Sequence, residues 1–568
     1  MTETARPKSF DFIIVGAGAS GALLAARLAN TASRPSVLLV EAGGKNDSPS
    51  LRADGERWFH LRHPGVNWNY MSEPIEALNN RAIGYDRGKG LGGSTAINFA
   101  CYTIGPKADH DEIARLVGDD EWKWENAHEQ YKRIESYDNQ IPQGYEKYVA
   151  PQVEEHGHDG PIKVGFGRVA EQSAQDLMDI WLANGAKLNL DSNLGDPIGV
   201  SLIWSSAQKG HRSTSADALT GAGTNLHILT DNQVARVIFD GETASAIETL
   251  DGTQYFADKE IILSAGSVDT PRLLLHSGIG PRDQLQEFDI PVVRHNGNVG
   301  QHLRDHLHAV FSYERAEHTD QRHKFYRSKE LQAKARAQWE EDGTGPLAEL
   351  GVVMGIGWSK HEAIYESKEF QELPADKQQF LRDPTVPHSE FILNGLHLDH
   401  IVNPGGSRAG TTVFLFLMNQ QSAGEMRLTS ADPSIPLKFF PNLFSHPYDR
   451  RAAVEATRDM LKVINSPEFQ RDTVAVQNAP KSDSEEDILN FWRESSNTTW
   501  HMMGTARMGL SEDEAVVNNE FKVFGVNRLR VVDLSVVPHA VNNHTQTTGY
   551  LAASIAANKI VSQYGLDA

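Results

Sequence analysis

The stretch NTTWHMMGTARMG, residues 497 to 509, sets His501 between Trp500 and the pair Met502–Met503, with a Gly-Thr turn just beyond. An imidazole titrates near neutral pH, so it can take or give a proton, and apolar neighbours disfavour its charged form. For an isolated histidine, a core role with main-chain partners is the better reading, and the chain holds 23 of them. A second chemistry lies at the front, in FDFIIVGAGASGALLAARLANTASRPSVLLVEAGG. There Gly16, Gly18 and Gly21 form G-x-G-x-x-G, and Glu41 follows about 20 residues after the last glycine. Missing side chains let the main chain approach a pyrophosphate, and a helix N-terminus adds partial positive charge. Glu41 stands where an acid would accept hydrogen bonds from ribose hydroxyls.

The elements that must position these residues are legible in part. Phe12 to Val15 reads as a buried parallel strand, Leu23, Leu24, Arg27 and Leu28 fall at helical spacing, and Val37 to Val40 makes a second strand. The pattern alone is weak; with strand, helix and acid in register it points to a bound dinucleotide. RGKGLGGSTAIN, residues 87 to 98, lies outside this unit and by itself reads as a flexible loop. Residues 225 to 252 alternate like hairpin strands with Asp-Gly turns at 240–241 and 251–252. KEIILSAGSVDTPRLLLHSGIGP predicts a strand at Ile261–Leu263 and a helix from about Pro271. Residues 311 to 490 differ in composition, with strand-like runs at 391–402 and 411–418, and suggest a second domain. Near the end, NRLRVVDLSVVP reads as a buried strand followed by an acid. The Ala-rich helix after it turns Leu551, Ile555 and Ile560 to one side.

Bulk properties exclude several classes. The 568 residues leave room for two or more cores. A formal charge of −21 argues against nucleic acid or an anionic membrane as partner. One cysteine, Cys101, excludes a disulfide framework and a multi-thiolate metal site, and reads as a buried thiol. No apolar run precedes residue 11, so no secretory signal is visible and a cytoplasmic enzyme is expected.

Together these segments resemble the glucose-methanol-choline (GMC) oxidoreductases, flavoproteins that oxidise alcohols, and the resemblance covers nearly the whole chain. GKGLGGSTAINFACYTIGPKADHD and GSVDTPRLLLHSGIG look like the family's two signatures. HDGPIKVG, GHRSTSADAL, VGQHLRDH and MNQQSAGEMRL are similar to its smaller landmarks, and WHMMGTARMG with VVDLSVVPHAVNNHTQTTGY to its catalytic block. The implied fold is α/β: a Rossmann-like FAD-binding domain from residues 1–150, 205–310 and 490–568, and an α+β substrate domain on an antiparallel sheet from 151–204 and 311–489. The implied cofactor is FAD. Carried over, Gly16, Gly18, Ala19, Ser20 and Gly21 would line the pyrophosphate, Glu41 the adenosine ribose, and Val234 the adenine. Gly93, Ser94, Asn98, Phe99 and Ala100 would run beside the flavin, and Asp533, Leu534, Thr545 and Gln546 would close over its ribityl chain and pyrimidine edge.

The same resemblance implies the chemistry. Hydride loss from an alcohol is difficult while the oxygen keeps its proton, and a base near working pH typically contributes ~10²- to 10⁴-fold. His501 sits at the family's catalytic position, and His544 at its second active-site position, where it would hydrogen-bond the alcohol oxygen while flavin N5 takes the hydride. The helix beginning near Thr545 would aim its positive end at the flavin. Ile97 replaces the histidine that holds FAD covalently in some members, so noncovalent FAD is expected. Ile104 stands where many members have arginine, and His539 has no assigned role. The expected reaction is oxidation of a primary alcohol, aromatic ones included, to an aldehyde, with oxygen or another acceptor taking the electrons. The alternative is cleavage of a cyanohydrin by a flavin-containing hydroxynitrile lyase on the same scaffold.

Overall fold

The computed structural model describes residues 9–397 and 408–567; residues 398–402 of the strand-like run expected at 391–402 lie outside them, as do residues 1–8. The apolar run at the front becomes the strand Ser9–Val15, in which Phe12, Ile13, Ile14 and Val15 are all buried. It is parallel to Val37–Val40 on one side and to Gln254–Leu263 on the other. Leu226–Leu229 extends the sheet beyond Val37–Val40, and Leu529–Val531 pairs in parallel with the end of Gln254–Leu263. Strands covered on both faces carry unbroken apolar runs, which is the pattern seen here.

The hairpin expected at 225–252 forms only in part. Val234–Asp240 and Thr243–Thr249 pair antiparallel around Asp240–Gly241, but Leu226–Leu229 joins the parallel edge instead. The helix expected from Pro271 starts earlier and spans Gly266–His276 with the proline inside it. Proline cannot donate to the carbonyl four residues back. That carbonyl, on Ser267, accepts from the Thr505 hydroxyl at 2.7 Å, and Ser267 Oγ donates to the Met502 carbonyl at 2.7 Å. The interruption is thereby converted into a clamp on the segment that carries His501.

The helix Gln546–Tyr564 is covered on nearly every side rather than along the single line of Leu551, Ile555 and Ile560. It packs against Ala19–Ala29 and Trp124–Ile134, and its alanines permit the close approach. Ser20 Oγ donates to the Gly549 carbonyl at 2.7 Å across the first contact. No helix among the described residues is long and apolar enough to cross a membrane.

A second, antiparallel sheet runs in the order Gly355–Ser359, Ser389–Gly395, Gly410–Leu417, Leu307–Arg315 and Thr473–Asn478. Asn497–Thr498 pairs with the start of Leu307–Arg315, Thr498 opposite Leu307 and Asn497 opposite His308. The strand Leu307–Arg315 runs across the expected boundary at 310, and the helix Glu485–Ser495 across the one at 490. The pairing of Asn497–Thr498 with Leu307–Arg315 ties the segment that carries His501 to the antiparallel sheet.

Beside the sheets, buried His156 ties three segments together, with Nδ1 on Glu135 Oε1 at 3.0 Å and Nε2 on Asp191 Oδ2 at 3.1 Å. Burial alone would depress its pKa, but the hydrogen bonds to Asp191 and Glu135 outweigh it and raise the value to about 9. A folded-state pKa above the unfolded one adds stability that is fully present below about pH 6.5 and is lost as pH climbs through 9. Removing one partner of such a cluster costs roughly 3–5 kcal/mol. His156→Leu should therefore lower the melting temperature at pH 7, and the gap from the parent should shrink between pH 7 and 10 in melting curves followed by circular dichroism.

Candidate active site

A cavity of about 500 Å³ runs between the two sheets. It is lined by Gly16, Gly18, Ala19, Ser20, Glu41 and Val234, by Gly93, Ser94 and Asn98, and by Phe99, His501 and His544; the segment before Val234 is tied to Glu41, the Asn232 N–H donating to the Glu41 carbonyl at 3.0 Å. Asp533, Leu534, Thr545 and Gln546 also face it. Gly21 and Ala100 do not. A Cβ on Gly21 would lie 1.9 Å from the Gly16 carbonyl oxygen, so this glycine lets helix and turn pack. Ala100 has φ +58° and donates its N–H to Asn98 Oδ1 at 2.9 Å, which shapes the turn behind the wall.

The second glycine-rich stretch, which alone reads as a loose loop, is a packed wall. Its short helix Gly93–Ala96 leans on the first glycine motif so closely that a Cβ on Gly93 would lie 2.7 Å from Gly18 Cα. Two helices, Ala19–Ala29 and Gln546–Tyr564, begin at the cavity, and neither has a side-chain cap. Their free N–H groups and positive ends favour anionic or electron-rich groups. Glu41 is buried, which raises its pKa, although its carboxylate accepts the N–H groups of Ala17, Gly43 and Gly90, each at 2.9 Å. Asp533 likewise accepts from Gly266, Thr270 and Ser535, fixing the turn ahead of Leu534.

The rings of His501 and His544 lie 4.9 Å apart, nearly perpendicular at 79°. Asp305 positions the first. Its carboxylate accepts the His501 N–H at 2.9 Å and the hydroxyls of Thr498 and Thr499, holding Trp500 in a left-handed conformation at φ +60°. Arg87 secures the same turn through the Trp500 carbonyl at 2.6 Å. His501 Nδ1 meets His306 Nδ1 at 3.0 Å, and the Val541 carbonyl lies against the His306 ring. With the proton on His501 Nδ1, His306 Nδ1 accepts it. His501 Nε2 is then the unprotonated nitrogen and has no protein partner among the described residues. Burial, followed by the nearness of His544 and His306, depresses the His501 pKa well below its usual value, so the ring rests neutral.

His544 Nε2 meets Glu390 Oε1 at 2.8 Å, and its main-chain N–H donates to Thr103 Oγ1 at 2.7 Å. Glu390 is fully buried on Ser389–Gly395. The preceding Ser389 hydroxyl meets His361 Nε2 at 2.7 Å, and His361 Nδ1 meets Asp459 at 2.6 Å, which anchors the strand. Glu390 is absent from the sequence reading; its signal was a lone acid inside the apolar run SEFILNG. Asp305 and His306 lay in a recognised landmark, VGQHLRDH, without a role. Arg212, also missed, is buried and supports Asn98 through Oδ1 at 2.6 Å and through its carbonyl. His539 is buried against the Asp109 carbonyl and Phe380, away from the cavity wall. Cys101 is a buried thiol whose pKa burial pushes up to about 12.

Two family models, both described as GMC oxidoreductase, match residues 10–308 and 420–553. The chain belongs to the GMC oxidoreductases. Among relatives, the dehydrogenase pkfF of Emericella nidulans is 30% identical over 97% of this chain and 93% of its own. The oxygen-dependent choline dehydrogenase of Escherichia coli is 30% identical over 98% and 96%. A formate oxidase variant from Aspergillus oryzae superposes with a TM-score of 0.89 at 25% identity, covering 99% of this chain and 100% of that one. A fungal aryl-alcohol oxidase gives 0.84 at 23% over 99% and 100%, a likeness of fold. The chain is thus an oxidoreductase of the family that uses FAD and acts on CH–OH donors.

The cavity fits that cofactor, because the glycine contacts leave the main chain bare where a pyrophosphate would pass between two uncapped helix ends. Gly93 tests the fit. Alanine there would meet both a left-handed φ of +50° and the main chain of Gly18. A left-handed non-glycine residue costs roughly 1–2 kcal/mol before the clash is counted. Gly93→Ala should weaken FAD at least about tenfold while the far-ultraviolet spectrum stays native; the ratio of flavin to protein absorbance after gel filtration reads it.

Proposed function

We propose that the protein oxidises a primary alcohol, aromatic ones included, to the aldehyde with noncovalently held FAD, and passes the electrons to oxygen or another acceptor. The observation that carries this reading is the His501–His544 pair in the same cavity as the glycine motif and Glu41. The bound flavin would supply the hydride acceptor. Everything else falls to the chain. His501 Nε2 would take the hydroxyl proton, and its Nδ1–H, held by His306, would fix the tautomer that makes this possible. His544, whose Nε2 is held by Glu390, would face the alcohol oxygen with its other ring edge and orient it toward His501. Trp58, Phe99, Met354, Phe414 and Phe416 would keep water from the carbinol carbon and favour an apolar or aromatic substituent. At position 97 an isoleucine faces the cavity, which supports a cofactor held without a covalent bond. The residues lining the cavity from Gly16 to Gln546 would be those that hold it.

The test is anaerobic mixing with benzyl alcohol and aliphatic primary alcohols while the oxidised-flavin absorption is followed. Bleaching, with aldehyde formed in equal amount, is expected. Flavin that no alcohol bleaches, with aldehyde and cyanide released from mandelonitrile, would replace this reading by the lyase. His501→Ala should stay yellow while flavin reduction slows about 10²- to 10⁴-fold; an unchanged rate would remove the base assignment.

A further inference from the structure

His308 also faces the cavity, from the strand Leu307–Arg315. It is 7% exposed and set among aromatic rings: Phe416 at 5.4 Å, Phe414 at 5.7 Å and Trp500 at 6.5 Å between centroids. Its Nδ1 is sealed from solvent and has no hydrogen-bond partner among the described residues. Nε2, which has no hydrogen-bond partner among the described residues, is left as the nitrogen open to the cavity. Burial pushes its pKa down to about 4, so the ring is neutral at working pH. A neutral imidazole keeps one bare nitrogen, and in the tautomer that leaves Nε2 bare it accepts a hydrogen bond from the cavity. An acceptor on an aromatic wall has no protein partner to lose, so a ligand that donates to it gains a hydrogen bond that one without a donor cannot make.

Position completes the argument. Phe416 touches His308 on one side and His544, at 6.1 Å, on the other. His308 therefore lies about one aromatic ring away from the pair assigned to the carbinol. We propose that His308 determines specificity by accepting, at Nε2, a hydrogen bond from a second donor on the substrate, a phenolic hydroxyl or a ring N–H across an aromatic ring from the carbinol. The inference rests on the reading of the cavity as an alcohol site and narrows its substrate to hydroxylated aromatic alcohols.

Binding tests it apart from turnover. Calorimetric titration of the FAD-loaded protein should show para-cresol binding about tenfold more tightly than para-methylanisole, which has the same ring but no donor. In His308→Phe the preference should vanish while para-methylanisole still binds. His308→Gln, whose amide oxygen can accept in the same direction, should restore it. Equal affinities in the parent protein, no binding of either ligand, or a preference that survives in His308→Phe would each overturn the inference. In turnover, para-hydroxybenzyl alcohol should exceed para-methoxybenzyl alcohol in kcat/KM by a similar factor. Tight binding of para-cresol without oxidation of any benzyl alcohol would sink the alcohol reading and leave the role of His308 standing.

Discussion

The hydrogen bond between His306 and His501 is the constraint on which the rest turns. Two imidazoles meet nitrogen to nitrogen at 3.0 Å where burial penalises charge on either. The arrangement in which His501 Nδ1 donates to His306 leaves the lone pair of His501 Nε2 open to the cavity. The protein fixes that arrangement with elements distant in sequence: Asp305 holds the His501 main chain, Thr505 and Ser267 clamp the segment behind it, and the strand pair at 307 and 498 sets the depth. A base made neutral by its surroundings costs solvation, and the hydrogen-bonded scaffold offsets it.

The polar groups around the cavity divide by what they face. Glu41 and Asp533 spend their carboxylate oxygens largely on main-chain N–H groups, so they act first as turn formers and present what remains to a ligand. Glu390 is different: its hydrogen bond is to a side chain at the reacting end. Acids buried with main-chain partners shape loops, whereas an acid buried against an imidazole shapes reactivity.

Much of this was legible from sequence where the signal is local. The glycine spacing, the apolar run at Phe12–Val15 and the acid at Glu41 belong to one supersecondary unit, and the fold reproduces it. The residues missed act across long separations. Glu390 reaches His544 over 154 positions and His306 reaches His501 over 195, and no periodicity encodes such pairs. The helix around Pro271 was misplaced because a proline normally ends the pattern, and its rescue by Thr505 is tertiary. The loop reading of residues 87 to 98 failed for the same reason: glycine there serves contact with Gly18, which is visible only once both are in place.

The pairing of Leu529–Val531 with the end of Gln254–Leu263 bears on biosynthesis. Ser264 and its partner Val532 are separated by 268 positions, which a ribosome adding 5–20 residues each second covers in about 10–50 s. Through that interval Ile261–Leu263 presents an edge of unpaired N–H and C=O groups between apolar side chains, the kind of surface that recruits wrong partners. The edge of Ile261–Leu263 thus waits for a partner made among the last residues of the sequence, and slower translation lengthens the wait.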